Sequence, residues 1–352
     1  NVELIIKKFS EQSSSSENDV IADQSISNVP STSDILEENV TQRRMRKNFV
    51  TLPVGSKQTS KAGHAWEVIA PSSPSSGRAL ARNIMRDNPG PTLYAKRNVS
   101  VDSLVSAFRL FVDNSMLKHI QKCTETEARS RLQDDNWSIS LQELDAFIAI
   151  LLARGAYGAK TLDLAGLWST VWGPAFFRDT MSRNKFREIM RFIRFDIRSS
   201  RSERLKNDKF CLASEIWNKF ISNCKACYIP GESITVDEQL FPTKARCRFT
   251  QYMANKPDKF GIKFWLAADT KTKYLLNGFP YLGKDETRPV DQPLSEYVVM
   301  KLMEPFLNKG RNVTTDNFFT SIELAKKLAK KNTTIVGTIN RARKEIPITA
   351  KE

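Results

Sequence analysis

Ser233-Ile234-Thr235-Val236-Asp237-Glu238 and Arg311-Asn312-Val313-Thr314-Thr315-Asp316 are the two runs on which the fold turns, because each is a short β-branched stretch that ends on an acid. The first follows Pro230-Gly231, a turn signal, so it reads as a strand that delivers Asp237 at its C-terminal end. Between the two runs, Gly261-Ile262-Lys263-Phe264-Trp265-Leu266-Ala267-Ala268 and Lys273-Tyr274-Leu275-Leu276 flank the polar Asp269-Thr270-Lys271-Thr272, which predicts an antiparallel hairpin. Pro293 then opens an amphipathic segment with Leu294, Val298, Leu302 and Phe306 on one face, a helix expected to bend or fray near Pro305. Asp316 has two readings. An Asp ahead of an apolar run is a common helix start, but Thr320-Ser321-Ile322-Glu323 makes a capping box for a helix through Leu324 and Leu328, with Thr320 as its cap, and so leaves Asp316 without that duty. Thr333–Ile339 supplies a last strand.

The resulting order is strand, hairpin, helix, strand, helix, strand. It predicts an α/β, ribonuclease-H-like domain with a mixed five-stranded sheet, incomplete at its C-terminal end. Open sheets place functional groups beyond the carboxyl ends of central strands. Two carboxylates there can share divalent cations, and a pair of cations about 3.5–4 Å apart can clamp the attacking and leaving oxygens of a phosphodiester. Asp237 and Asp316 are therefore the candidate catalytic and metal-binding residues.

Several longer blocks carry a family resemblance. Ile234–Leu240, Asn255-Lys256-Pro257-Asp258-Lys259-Phe260-Gly261-Ile262-Lys263, Gly278-Phe279-Pro280-Tyr281-Leu282-Gly283, Arg311–Ser321 and Thr334-Ile335-Val336-Gly337-Thr338 resemble, in this order, the piggyBac transposase family. The resemblance extends back to about Val101. It implies metal-dependent DNA cleavage and strand transfer, as in cut-and-paste transposition, with Mg²⁺ or Mn²⁺ as cofactor. It equally admits a catalytically inactive, decayed or host-recruited nuclear DNA-binding relative. Asp237 and Asp316 match the first and second acids of the family's three-aspartate metal site, while no aspartate lies between Asn317 and Glu352, so the third acid has no match. On that ground the domain is expected to be truncated, and this stretch by itself is not expected to catalyse transposition.

Charge points to the same class of partner. Asn1–Gln42 carries eight acids against two lysines, a net −6, which leaves +21 on Arg43–Glu352 out of the formal +15. So large an excess favours a polyanion, most commonly nucleic acid, and the resemblance implies double-stranded DNA, whether transposon ends or genomic sites. The competing reading is a generally basic soluble protein. No apolar run approaches the ~18–20 residues that cross a bilayer, and the N-terminus lacks a signal-peptide pattern, so an intracellular protein without a membrane partner is expected, and the resemblance implies the nucleus. A homodimer is a further expectation. Five scattered cysteines do not suit a disulfide scaffold, and Cys224-Lys225-Ala226-Cys227 reads either as a zinc half-site or as a helix end with two buried thiols.

Three segments follow from the composition: a disordered acidic tail and extended basic arm over 1–99, an all-helical DNA-binding domain over 100–230, and the catalytic-type domain over 231–352. Arg43-Arg44-Met45-Arg46-Lys47 suits nuclear import, a phosphate contact or a solvated linker. In the helical domain Leu104, Val105, Phe108, Phe111 and Val112 keep a helical period, Ser140-Leu141-Gln142-Glu143 is a capping box, and Ser182 is a cap with Met181 and Phe186 as a hydrophobic staple. The helix after Ser182 should turn Phe186, Ile189, Met190 and Ile193 inward and Arg187, Arg191 and Arg194 outward, as phosphate contacts or as a merely solvated face. Arg246, Arg248, Lys256, Lys259 and Lys263, interleaved with Phe249, Tyr252 and Phe260, suit a DNA strand entering beside Asp237, the alternative being a strand-edge loop with its rings in the core.

Overall fold

The structure, a computed structural model, describes residues 52–68, 84–159, 161–243, 245, 247–284 and 288–350. The acidic tail, the basic pentapeptide at 43–47, the Pro71–Gly77 loop and Arg246 lie outside them. In chain order the strands are β1 (Lys57–Thr59), β2 (Ala65–Glu67), β3 (Gly90–Pro91), β4 (Tyr228–Ile229), β5 (Ser233–Pro242), β6 (Thr250–Tyr252), β7 (Phe260–Asp269), β8 (Leu275–Pro280), β9 (Asn312–Thr315) and β10 (Thr334–Gly337). The helices used below are α1 (Leu93–Asn98), α2 (Leu104–Arg109), α3 (Asn114–Leu132), α4 (Leu141–Ala156), α5 (Arg183–Phe192), α6 (Ser214–Cys227), α7 (Leu294–Met303) and α8 (Ile322–Ala329). The chain divides into two compact units, one over 87–290 and one whose described residues lie in 52–86 and 291–350. The sequence boundaries at 99 and 230 fall inside the first unit.

The first unit joins a helical core to an antiparallel sheet. Ser140 and Glu143 form the expected capping box at the start of α4, each side chain serving the other's backbone N–H. Leu144, Phe147 and Ile150 of α4 are buried with Leu117 and Ile120 of α3 and Phe186, Ile189 and Phe192 of α5. Ser182 caps α5 by accepting from Lys185 N. Met190 is exposed and Phe192 takes the inward place, because the step from Phe186 and Ile189 that stays on one helical face lands on 192–193. The helical period over 104–112 is broken: α2 stops at Arg109, Asp113 caps α3 through Met116 N, and Leu104 and Val105 are exposed. The arm expected to run extended to Val99 includes α1, capped by Thr92.

In the sheet, β7 is the central strand. One edge pairs with β5 from Ile234↔Asp269 to Pro242↔Gly261, and the other pairs with β8 and then with β6. The hairpin of β7 and β8 is the one the sequence predicts, while β6 was not foreseen. Asp269 organises the turn: its Oδ1 accepts from Lys271 N (3.0 Å), Thr272 N (2.8 Å) and Thr272 Oγ1 (2.9 Å), and its Oδ2 from Gly231 N (2.7 Å). Burial raises its pKa, but these donors outweigh it and hold the carboxyl below its ordinary range.

The second unit pairs β9 with β10 in parallel and β1 with β2 as an antiparallel hairpin. α7 gives way at Glu304–Phe306 to a 3₁₀ turn containing Pro305, as expected. The β1–β2 hairpin lies within what the sequence suggested was an extended arm. It is fastened from far along the chain, by Ala62 N to Lys344 O (3.0 Å) and Trp66 Nε1 to Glu345 O (3.0 Å). The molecule is thus mixed α/β, with antiparallel and parallel strand pairs.

Candidate functional site

Asp237 lies within β5 rather than at its end. The strand continues to Pro242 because β7 offers a backbone partner to every residue as far as Gly261, and Leu240 keeps the buried alternation of Ile234 and Val236. Asp237 stands on the opposite face from these three, exposed, with its Oδ1 accepting from Glu238 N at 2.7 Å. That face is built on Phe264, whose ring meets Trp217 of α6 at 4.5 Å and Phe241 at 4.9 Å. Trp217 Nε1 also donates to Gly278 O (3.1 Å), and a Cβ at Gly278 would come within 2.6 Å of Leu266 Cδ2. Packing of this kind fixes the strand beneath the aspartate.

The next residue, Glu238, faces the other way. Its carboxylate draws Lys256 (4.0 Å) and Lys263 (3.9 Å), and Lys263 Nζ stands 3.9 Å over the ring of Trp265, the cross-strand neighbour of Glu238. Strand alternation therefore puts Lys263 on the face opposite Asp237, a separation that sequence proximity could not reveal. Lys259 and Arg248 are exposed. The three aromatics divide: Phe249 turns to Phe210 at 6.1 Å, whereas Tyr252 and Phe260, 58% and 59% exposed, pack with tilted rings across β6 and β7, centroids 4.9 Å apart.

Asp316 directly follows β9 and is exposed. Its Oδ1 accepts from Phe318 N (3.0 Å) and Phe319 N (3.4 Å), while its backbone carbonyl receives Thr320 N (3.1 Å) and Thr320 Oγ1 (2.6 Å). Asp316 is not the cap of the following helix, as expected; it closes the turn that follows the strand. The expected capping box does not form, and the cap moves by one residue. Ser321 caps α8 by accepting from Leu324 N, Thr320 Oγ1 bonds Thr315 Oγ1 at 2.8 Å, and Glu323 N donates to Glu345 Oε1 instead of to a cap. A Cβ on Gly337 would lie 2.4 Å from Thr315 O, so β10 can approach the residue before Asp316 only as glycine. Among the described residues no group of three or more His, Cys, Asp and Glu side chains is arranged to hold a metal ion. Cys224 and Cys227 are the buried helix-end thiols of the simpler reading; burial pushes Cys224 up to about 12.

Of the cationic candidates, Arg187 and Arg191 are exposed along one face of α5. Arg191 lies over the ring of Phe192, and neither arginine is in an ion pair among the described residues. Arg194 differs: its Nη2 donates to Glu127 Oε1 at 3.0 Å. Arg201 and Arg204, from the same basic run, clasp the buried Asp196.

Comparison with known proteins fixes the class. A family model described as transposase IS4 matches residues 104–352, so the chain is of transposase type. Within that class it belongs to the piggyBac family. It is 24% identical over 237 residues to the human PiggyBac transposable element-derived protein 3, covering 66% of this chain and 39% of that protein. The human Chimeric ERCC6-PGBD3 protein matches at 24% over 237 residues, 66% of this chain and 22% of its own length. Among solved structures, a piggyBac transposase synaptic complex with hairpin DNA superposes with a TM-score of 0.70 at 34% identity, over 76% of this chain and 56% of that one. The chain thus spans less than two thirds of the length of each of these relatives.

Proposed function

We propose that this chain is the DNA-binding and metal-binding portion of a piggyBac-type transposase with a ribonuclease-H-like sheet, acting in DNA cleavage and strand transfer. The observation that carries the DNA-binding part is the pair Arg187 and Arg191, one helical turn apart on α5, exposed and unmatched by any acid among the described residues. An i, i+4 spacing advances about 6 Å along the helix, close to the step between successive phosphates of one strand. Exposed Lys259 and Arg248 beside the Tyr252–Phe260 pair add cations and stacking faces on the sheet edge.

The donor chemistry of Asp237 and Asp316 suits Mg²⁺ or Mn²⁺. Both are exposed carboxylates, and each has one oxygen anchored by backbone N–H groups, which orients the carboxylate before any ion arrives. When bound, the ion would polarise the phosphodiester. Asp237 and Asp316 would each serve as a carboxylate ligand for an ion of this kind; location in the nucleus and homodimerisation belong to the same proposal.

Fluorescence anisotropy on a DNA duplex across a KCl series tests the first part: log K is expected to fall steeply with log salt, and absence of binding at low salt would refute it. Calorimetric titration with Mn²⁺ tests the second. Binding that survives unchanged in both Asp237→Asn and Asp316→Asn would remove the two acids from the metal site, and metal-dependent nicking by the unmodified chain would rule out a purely inert relative.

A further inference from the structure

The arginines that follow α5 are organised by two buried acids, and the charges do not balance. Glu127 of α3 is 6% exposed in its side chain, yet its Oε1 meets Arg131 Nε at 3.2 Å, Arg194 Nη2 at 3.0 Å and Arg198 Nη1 at 3.8 Å. Asp196 takes Arg201 through two N–H bonds, 2.9 and 2.8 Å, and Arg204 through one of 2.7 Å. The two sets are neighbours along the chain, since Arg194 and Arg198, which meet Glu127, flank Asp196 in sequence. Five guanidiniums therefore share two carboxylates. Of the neighbouring acids, Glu125 pairs with Arg129, Glu203 with Lys206 and Glu215 with His119, while Asp208 accepts from Phe210 N.

Burial by itself would raise the pKa of Glu127, but Arg131 and Arg194 outweigh it and keep the carboxyl below its ordinary range, so Glu127 stays ionised at neutral pH. One or two arginines would compensate such a carboxylate. The surplus charge repels itself until an anion joins it. Arg131 and Arg198 have side chains 52% and 60% exposed; Arg131 is hydrogen-bonded to Glu127 through Nε, and Arg198 stands at ion-pair distance from the same oxygen. An arginine fixed in this way gives up less freedom when it meets a planar oxyanion, and the guanidinium fork matches phosphate.

We propose that Glu127 and Asp196 assemble this cluster into a preformed clamp for the phosphate backbone of nucleic acid, with Arg131 and Arg198 as the contacting residues and Glu127 as a positioning residue. The proposal rests on the DNA-binding reading above and places a second phosphate-binding surface beside the α5 stripe.

The sign of one substitution separates the clamp from simple charge. Glu127→Gln removes a negative charge, so if net charge alone governed binding the affinity for a DNA duplex would rise; a clamp without its anchor should instead bind about tenfold more weakly. Arg131→Ala/Arg198→Ala, at exposed positions, should lower the salt slope by about 2, near 0.9 for each phosphate left without its arginine. Circular dichroism melts accompany every variant, and the arginine pair keeps the test independent of any unfolding of Glu127→Gln. Tighter binding by a folded Glu127→Gln protein would overturn the positioning role. A slope unchanged in Arg131→Ala/Arg198→Ala, while Arg187→Ala/Arg191→Ala lowers it, would overturn the clamp and leave the general reading standing. Failure of the unmodified chain to bind DNA at low salt would remove both.

Discussion

Replacing Asp196 by Asn should be among the most damaging single-atom-scale changes in the first unit. Asp196 is almost wholly buried and accepts three charge-assisted bonds from Arg201 and Arg204, while Arg204 also donates to Cys211 O (2.8 Å) and Ile197 O (2.9 Å). The acid thus ties together the turn from Ile197 to Cys211. Asparagine keeps one acceptor oxygen but leaves two guanidiniums without their counter-charge, and breaking a buried pair from one side costs about 3–5 kcal/mol. We take the lower end, about 3 kcal/mol, for the retained oxygen, which corresponds to a Tm lower by about 6–12 °C in a unit of this size. The pH dependence has a definite sign. Burial raises the Asp196 pKa, the two arginines more than reverse this, and the folded value lies below the ordinary 3.8. The stabilisation is therefore fully present above the ordinary Asp range and is lost as pH falls through the folded value. Melts followed by circular dichroism at pH 7, 5 and 3 should show the full gap between the two proteins at pH 7 and 5, narrowing only toward pH 3 or below. A gap of less than about 1 kcal/mol at pH 7 would refute the reasoning, as would one that closes by pH 5.

Other substitutions probe the placement of the candidate site. Gly337→Ala must push against backbone at Thr315 O, so it should cost about 1–3 kcal/mol in a urea titration, whereas Gly155→Ala, where an added Cβ meets nothing within 4 Å, should stabilise α4 by about 0.5–1 kcal/mol. Ser321→Ala should cost about 1 kcal/mol through removal of the α8 cap, measured in the same titration; no change would return the cap to Thr320. Phe192→Ala should cost about 3–5 kcal/mol by thermal melt and Met190→Ala under about 0.5 kcal/mol, and equal costs would contradict the assignment of α5's inner face.

What could be read from the sequence was what is encoded locally. The run ending on Asp316, the β7–β8 hairpin with its polar turn, the Ser140–Glu143 box and the Ser182 cap each depend on residues within a few positions of one another, and each is where the sequence placed it. The length of β5 was not legible, because a strand runs as far as its partner lets it. Asp237 became a mid-strand residue when β7 supplied partners out to Gly261. The β1–β2 hairpin was missed because its few residues are held by bonds to Lys344 and Glu345, which no local window contains. The basic run over 183–204 is the clearest case. Periodicity reports which side of a helix an arginine leaves from, but not whether an acid waits there on another helix. Glu127, far upstream on α3, is what separates Arg194, bound and oriented, from Arg187 and Arg191, which face solvent. A count of positive charges treats these residues alike, and only the position of that carboxylate gives them different roles toward a phosphate.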